Sequence, residues 1–108
     1  MRRMTARRHR IARYEYTFDA GLGGAARVVL WGEGGAKLAD IGFLDSEGAV
    51  PQPRISPDLT YAAAFMRLRA LAPLIDMLRN ESPVFLTLDD AAPGDVLITT
   101  LEGASHDD

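Results

Sequence analysis

The sequence predicts an α+β domain, in which an antiparallel sheet of five or six strands carries one main helix on one face. Short segments with alternating apolar residues, separated by turns rich in Gly and Pro, are typical of strands. Residues 70–80 instead repeat apolar residues at spacings of three and four, which is typical of a helix. The length of 108 residues fits one domain with one core.

Three strands are predicted before residue 46, and the short turns between them imply an antiparallel meander. The first strand begins at Arg10 and places every second residue on its inner face: Ala12, Tyr14, Tyr16 and Phe18. The second covers residues 25–33. The third covers residues 37–45 and has three apolar residues facing inward: Ala39, Ile41 and Phe43. Residues 32–35, which are rich in Gly, have the composition of the turn between the second and third strands.

Residues 58–70 are compatible with a helix and with a strand. In the helix interpretation, Ser56 caps the helix, Pro57 is its first residue, and an apolar stripe continues to residue 78. This interpretation requires a bend or restart at Pro73, because Pro in a helix interior costs about 3 kcal/mol. In the strand interpretation, residues 59–66 form a fourth strand and a short helix starts near residue 70. The helix interpretation is favoured and gives the order β-β-β-α-β-β, whereas the alternative gives β-β-β-β-α-β-β.

The chain is then predicted to leave the helix and enter a buried strand. Arg79 suits the negative end of the helix dipole, Asn80 is predicted as a left-handed cap, and Pro83 prevents continuation. In residues 84–89, three alternate residues face inward: Val84, Leu86 and Leu88. A type II turn at residues 92–95 and a final strand at residues 96–102 complete a hairpin.

Residues 75–84, with the sequence IDMLRNESPV, resemble a group of small, uncharacterised bacterial proteins. In that group a helix ends in a similar Leu-Arg-Asn-Glu junction, and a strand beginning with Pro-Val follows. The resemblance implies a β-rich bacterial domain that stands alone, and it brings no known activity or site. In that group the segment before the helix is strand-like, which favours the strand interpretation of residues 59–66. This chain departs from the group at residues 101–104, where Leu-Glu-Gly-Ala replaces a Pro-Val-Gly-rich acidic tail.

Positive charge is concentrated at the amino-terminal end. Residues 1–13 contain six Arg and no acidic residue, and the rest contains 6 basic and 15 acidic residues, so +6 and −9 sum to the net charge of −3. We therefore predict a disordered basic arm (residues 1–8), a single α+β domain (9–103) and a disordered acidic tail (104–108). Six arginines are candidates for contact with an anion or a nucleic acid: Arg2, Arg3, Arg7, Arg8, Arg10 and Arg13.

The composition excludes several kinds of chemistry. The chain has no Cys, which excludes disulfides, thiolate zinc sites and a cysteine nucleophile. His9 lies in the basic arm and His106 in the acidic tail, where both are expected to move freely in solvent, whereas a catalytic base must be held in place. We therefore expect no catalytic residue, no metal ligand and no cofactor. No apolar run approaches the ~20 residues of a membrane span, so we expect a cytoplasmic protein.

Two functions from different classes are compatible with these features. The first is a non-enzymatic binding or assembly module that forms a homodimer, because an Ala-rich core is thin and an open meander has edges that invite pairing. The alternative is a nucleic-acid-binding protein that uses the basic arm. Aromatic residues of the first strand, Tyr14, Tyr16 and Phe18, would then serve as stacking platforms for bases rather than as core residues.

Overall fold

The fold is a seven-stranded mixed sheet that curls into a half-barrel and carries a short helix. The structure is a computed structural model that describes residues 5–19, 25–45, 48–91 and 94–100. The strands are β1 (Ala6–Asp19), β2 (Ala25–Gly32), β3 (Lys37–Leu44), β4 (Arg54–Ile55), β5 (Ala62–Arg67), β6 (Val84–Asp89) and β7 (Asp95–Thr100). Helix α1 (Leu71–Asn80) lies between β5 and β6 in the chain. The strand order in the sheet is β4-β5-β3-β2-β1-β6-β7.

The prediction of an antiparallel sheet with five or six strands is wrong. Strands β3 and β5 are parallel, whereas all other neighbouring strands are antiparallel. Parallel neighbours require a crossover, and here the Pro-rich segment after β3 provides it. Within that segment, the two-residue strand β4 pairs with β5, so the segment predicted as a plain surface loop adds a strand.

The favoured helix interpretation of residues 58–70 is also wrong, because residues 62–67 form β5. The chain passes from β5 through a 3-10 turn, Leu68–Ala70, into α1. Pro73 is the third residue of α1, where the missing N–H group would have had no partner inside the helix. The alternative order, β-β-β-β-α-β-β, contains this strand, but it lacks β4 and the parallel pairing.

Strand β1 has 14 residues, and its two halves pair with different neighbours. Ala6 to Arg10 pair with β6, and residues 11–19 pair with β2. Between the halves, Ile11 lies opposite Gly32 and Arg13 opposite the preceding residue of β2, so β1 contains one extra residue, a β-bulge. Residues 6–8, which were predicted to be part of a disordered arm, belong to the sheet, because β6 pairs with them.

The bulge changes which residues of β1 face inward. Residues directly opposite each other in a sheet share a face. Before the bulge, His9 lies opposite the buried Leu86, so odd-numbered residues face inward. After the bulge, Tyr16 lies opposite the buried Val28, so even-numbered residues face inward. Of the residues predicted to face inward, Tyr14, Tyr16 and Phe18 therefore lie on the inner face, whereas Ala12 is the extra residue of the bulge.

The core lies between the inner face of the sheet and α1. Its largest fully buried side chains come from β2, β3 and β6: Val28, Leu30, Ile41, Leu86 and Leu88. Helix α1 contributes three buried side chains: Leu71, Leu74 and Ile75. The inward residues predicted for β3 and β6 are confirmed, since all of them are buried. The predicted turn between β2 and β3 is confirmed as a 3-10 turn, Glu33–Gly35, in which Gly34 and Gly35 have positive φ angles.

The prediction that Asn80 caps α1 in a left-handed conformation is wrong. In the part of the chain that the structure describes, Leu59 is the only residue other than Gly with a positive φ. Asn80 is the last residue of α1, and its side-chain amide donates a hydrogen bond to Asp76 Oδ1 at 2.7 Å. The chain leaves the helix at Glu81, whose backbone is extended and whose N–H donates to the Met77 carbonyl.

The carboxyl-terminal hairpin is confirmed, since β6 and β7 pair in antiparallel register. Ala92 and Pro93, in the predicted type II turn, lie outside the described residues, as do the predicted acidic tail, residues 101–102 of the predicted last strand, and residues 1–4 of the arm. No helix in the described ranges is long and apolar enough to cross a membrane.

Candidate functional site

The outer face of β1 brings together three of the arginines predicted to contact anions. Arg8 and Arg10 lie on this face before the bulge, and Arg13 lies on it after the bulge. The Arg8 guanidinium lies 4.3 Å from the ring centroid of Phe85, and that of Arg13 lies 4.7 Å from the ring centroid of Trp31. Stacking on a ring holds a guanidinium in place while its edge stays open to an anion.

Acidic side chains offset part of this positive charge. Arg10 lies 4.0 Å from the Glu33 carboxylate, and Arg13 lies 3.3 Å from that of Glu15. Arg7 belongs to the other face of the strand, and its guanidinium donates a hydrogen bond to the Asp58 carbonyl at 3.4 Å. Arg2 and Arg3 lie outside the described residues. The structure therefore groups three of the six candidate arginines on one face and separates Arg7 from them.

His9 is fixed in β1, so the expectation that it moves freely in solvent is wrong. Its Nε2 lies 2.7 Å from the Leu59 carbonyl oxygen, to which it donates a hydrogen bond. Leu59 has a buried side chain and a φ of 61°, a conformation that is uncommon for residues other than Gly. His9 thus ties β1 to the turn before β5 and has a structural role. His106 lies outside the described residues.

A second charged cluster on the outer face connects β2, β3 and Tyr61, the residue that precedes β5. Arg27 in β2 donates two hydrogen bonds to the two carboxylate oxygens of Asp40 in β3. Lys37 Nζ and the Tyr61 hydroxyl each lie 3.5 Å from Asp40 Oδ2. The hydrogen bonds from Arg27 lower the pKa of Asp40, and burial together with the Asp40 charge raises the pKa of Tyr61.

The sequence analysis missed this cluster, although the turn predicted at residues 32–35 places Arg27 and Asp40 near each other across a hairpin. Both residues also interrupt apolar segments, which is a signal that they share the outer face. The cluster is a structural feature, because each member has a partner inside it.

An apolar groove separates the second half of β1 from α1. Tyr16 and Phe18 face inward, yet they are 42% and 60% exposed, so their predicted packing in the core is wrong. Their rings lie edge to face, 6.1 Å apart. They line an open groove of about 330 Å³ with five residues of the helix: Leu71, Ala72, Ile75, Asp76 and Arg79. Residues from the first turn to the last turn of α1 border the groove without filling it.

The same half of β1 has an edge without a strand partner. Strand β6 pairs with β1 only as far as Arg10, so within the described ranges no strand pairs with residues 13–19 on that side. Next to this edge, an open groove of about 400 Å³ lies between Tyr14 and the helix–strand junction at Glu81 and Ser82. We call residues 13–19 the open edge of β1. The open edge and the apolar groove beside it form the candidate binding site.

The chain has no match to any protein-family model, and neither the curated proteins nor the solved structures contain a significant match to it. In the portion of the chain that is described, no group of three or more His, Asp or Glu side chains is placed to hold a metal ion. The candidate site is therefore described by its own geometry, which combines an unpaired strand edge with exposed aromatic side chains.

The replacement Asp40→Asn is expected to lower the free energy of unfolding by about 1 kcal/mol at pH 7, since the ion pair is partly exposed. The pKa of Asp40 lies below its ordinary value of 3.8, so the folded chain binds a proton at this site less readily than the unfolded chain. The stabilisation is therefore present above that value and lost as the pH falls through the lower pKa of the folded state.

Urea denaturation of the wild type and this variant, measured between about pH 2 and pH 7, checks the expectation. The difference in free energy of unfolding should shrink below about pH 4. The exposed Asp45 provides a matched control, since Asp45→Asn removes a carboxylate outside the cluster and should change stability little at pH 7. A difference that stays constant with pH for Asp40→Asn would contradict the assigned role.

Proposed function

We propose that the protein is a non-enzymatic binding module that assembles with a second copy of itself. The observation that carries the proposal is the exposure of Phe18 on the inner face of the sheet, beside the open edge of β1. Exposed aromatic side chains next to unpaired backbone groups are typical of surfaces that bind another chain. We place the module in the cytoplasm, because a chain without Cys suits a reducing compartment.

The thin core gives a thermodynamic reason for assembly. Four of the 16 buried hydrophobic residues in the described ranges are alanines: Ala26, Ala39, Ala62 and Ala64. A small domain buries a modest fraction of its surface, so burial of additional apolar area between two copies adds stability. Burying the exposed parts of Tyr16 and Phe18 is the largest gain available at the candidate site.

Assembly is tested by light scattering coupled to size-exclusion chromatography over about a 100-fold range of protein concentration. At the highest concentration the measured mass should approach twice the chain mass of 11.7 kDa, and it should fall toward 11.7 kDa on dilution. Tyr16→Ser with Phe18→Ser should favour the monomer, because it removes the apolar surface. A mass of 11.7 kDa at every concentration would refute self-assembly.

Nucleic-acid binding is the second candidate, and the arginines on the outer face of β1 favour it. Arg8, Arg10 and Arg13 lie on one exposed strand face, and two of their guanidiniums rest on aromatic rings. Arginines in such an arrangement contact phosphates and do not read base edges, so binding should have weak sequence preference. This face is opposite the apolar groove, so the two candidate functions use different surfaces of the same strand.

The nucleic-acid candidate is tested by titrating single- and double-stranded oligonucleotides at several salt concentrations. Arg8→Gln with Arg10→Gln should make the slope of log K against log salt shallower by about 1.8, from roughly 0.9 per phosphate contact. Arg54→Gln with Arg69→Gln, which removes two exposed arginines elsewhere, is the matched control and should leave the slope unchanged. Absence of binding by the full chain at low salt would rule this candidate out.

A further inference from the structure

We infer that two copies of the chain join through their β1 strands, which pair antiparallel along the open edge about a two-fold axis at Tyr16. This inference rests on the proposed self-assembly and names the surface and the register that produce it. The outermost strands of the sheet, β4 and β7, are less suited to such pairing, and the charges on β1 select one register.

The two outermost strands of the sheet, β4 and β7, are protected or carry no selective pattern. Strand β4 has two residues and lies in a segment with several prolines, and short strands and Pro both blunt an edge. Strand β7 has a single charged residue, Asp95, at its first position, so its charges cannot select a register. The open edge of β1 contains no Pro or Gly and has an aromatic residue at every second position.

Alternation of the side chains limits the registers that a symmetric pair can adopt. Residues on the inner face of one strand must lie opposite residues on the inner face of the other. The two residue numbers in every pair of one register have the same sum, and this sum must be even. With a sum of 32, Tyr16 lies opposite Tyr16 of the second copy. In the same register, Arg13 lies opposite Asp19 of the second copy, and Tyr14 lies opposite Phe18 of the second copy. The symmetry axis repeats the Arg13–Asp19 and Tyr14–Phe18 pairs, so the register contains two opposite-charge pairs.

The neighbouring registers either place like charges opposite each other or require a part of the β1 edge that β6 already occupies. A sum of 30 puts Glu15 opposite Glu15 of the second copy, and a sum of 34 puts Glu15 opposite the second copy's Asp19 twice. Like charges directly opposite each other destabilise a pair of strands. A sum of 28 brings Phe18 of the second copy to Arg10, where β6 already occupies the edge. The sum of 32 is therefore the register that the sequence of β1 favours.

The same register covers the exposed aromatic residues. Side chains directly opposite each other in antiparallel strands lie about 4.5–5.5 Å apart at Cβ, so Phe18 gains the second copy's Tyr14 as a neighbour. Tyr14 is half-buried against the core, which gives that contact a rigid support. The interface involves only seven residues of each strand and lies at the small end of the range for proteins, so we expect a dissociation constant in the micromolar range.

Charge reversal tests the register in the full chain. Sedimentation equilibrium is measured for the wild type, Arg13→Glu, Asp19→Arg and the double variant that combines both changes. Each single reversal puts like charges opposite each other twice and should weaken the dimer by at least about tenfold. The double variant restores opposite charges and should return to within about threefold of the wild type. Arg54→Glu on β4 is the matched control and should leave dimerisation unchanged.

The outcomes separate this inference from the proposed function on which it rests. A wild type that stays monomeric overturns self-assembly itself. A wild-type dimer that resists both single reversals, or that the double variant fails to restore, overturns the β1 register while self-assembly stands. Circular dichroism of each variant establishes that it is folded before its association is compared.

Disulfide formation gives a second measurement if a charge variant fails to fold. The natural chain has no Cys, so Tyr16→Cys introduces a single thiol on the inferred two-fold axis. Opposite Cα atoms in antiparallel strands are about 4.5–5.5 Å apart, which a disulfide can span. Oxidation should give a covalent dimer with Tyr16→Cys and none with Leu97→Cys on β7. Cross-linking through Leu97→Cys alone would place the interface on β7 and overturn the inference.

Discussion

Strand β1 divides its backbone hydrogen bonds between two neighbours, and the rest of the structure depends on this division. Its first half joins β6 and β7 to the sheet, and its second half joins β2, β3, β5 and β4. The bulge after Ile11 lies where the partner changes, and bulges bend a strand and increase its twist. The curled half-barrel and the open edge of β1 both follow, because neither neighbour runs the full length of the strand.

Helix α1 leaves part of the inner face of the sheet uncovered. Helix α1 has 10 residues and is therefore about 15 Å long. It buries three of its residues against the sheet and leaves Tyr16 and Phe18 exposed at the far end of β1. Incomplete covering by α1 and incomplete pairing of β1 occur at the same place. An apolar surface and a strand edge therefore adjoin, which is the combination that a second strand requires.

Local patterns in the sequence predicted β3, β6 and the turn at residues 32–35 correctly. In these segments the alternation of apolar residues and the placement of Gly, both visible within a few residues, agree with the burial in the structure. For β1 they predicted the inner face correctly from Tyr14 onward and misplaced Ala12, because no residue type marks the bulge that shifts the inward set by one. They also failed for β5, since the small residues Ala62, Ala63 and Ala64 fit a helical stripe as well as a strand. The parallel pairing of β5 with β3 depends on contacts that no local pattern contains.

The candidate site was only partly predictable for the same reason. Composition identified the arginines of the arm, but their grouping on the outer face depends on the pairing of residues 6–10 with β6, which is distant in the chain. The aromatic residues of β1 were identified as a set, and their exposure depends on how α1 packs against the sheet, with an open groove beside both rings. The charged pair Arg27 and Asp40 was missed, although the turn predicted at residues 32–35 already brings the two residues near each other across the β2–β3 hairpin.

Hydrogen exchange of the β1 amides, followed by NMR at two protein concentrations, tests the central claim most directly. Every second amide in residues 13–19 points away from β2, toward the open edge. Our account predicts that these amides exchange rapidly in dilute protein and become protected at high concentration, while residues 6–10 show no change. Protection of these outward-pointing amides that does not depend on concentration would contradict it.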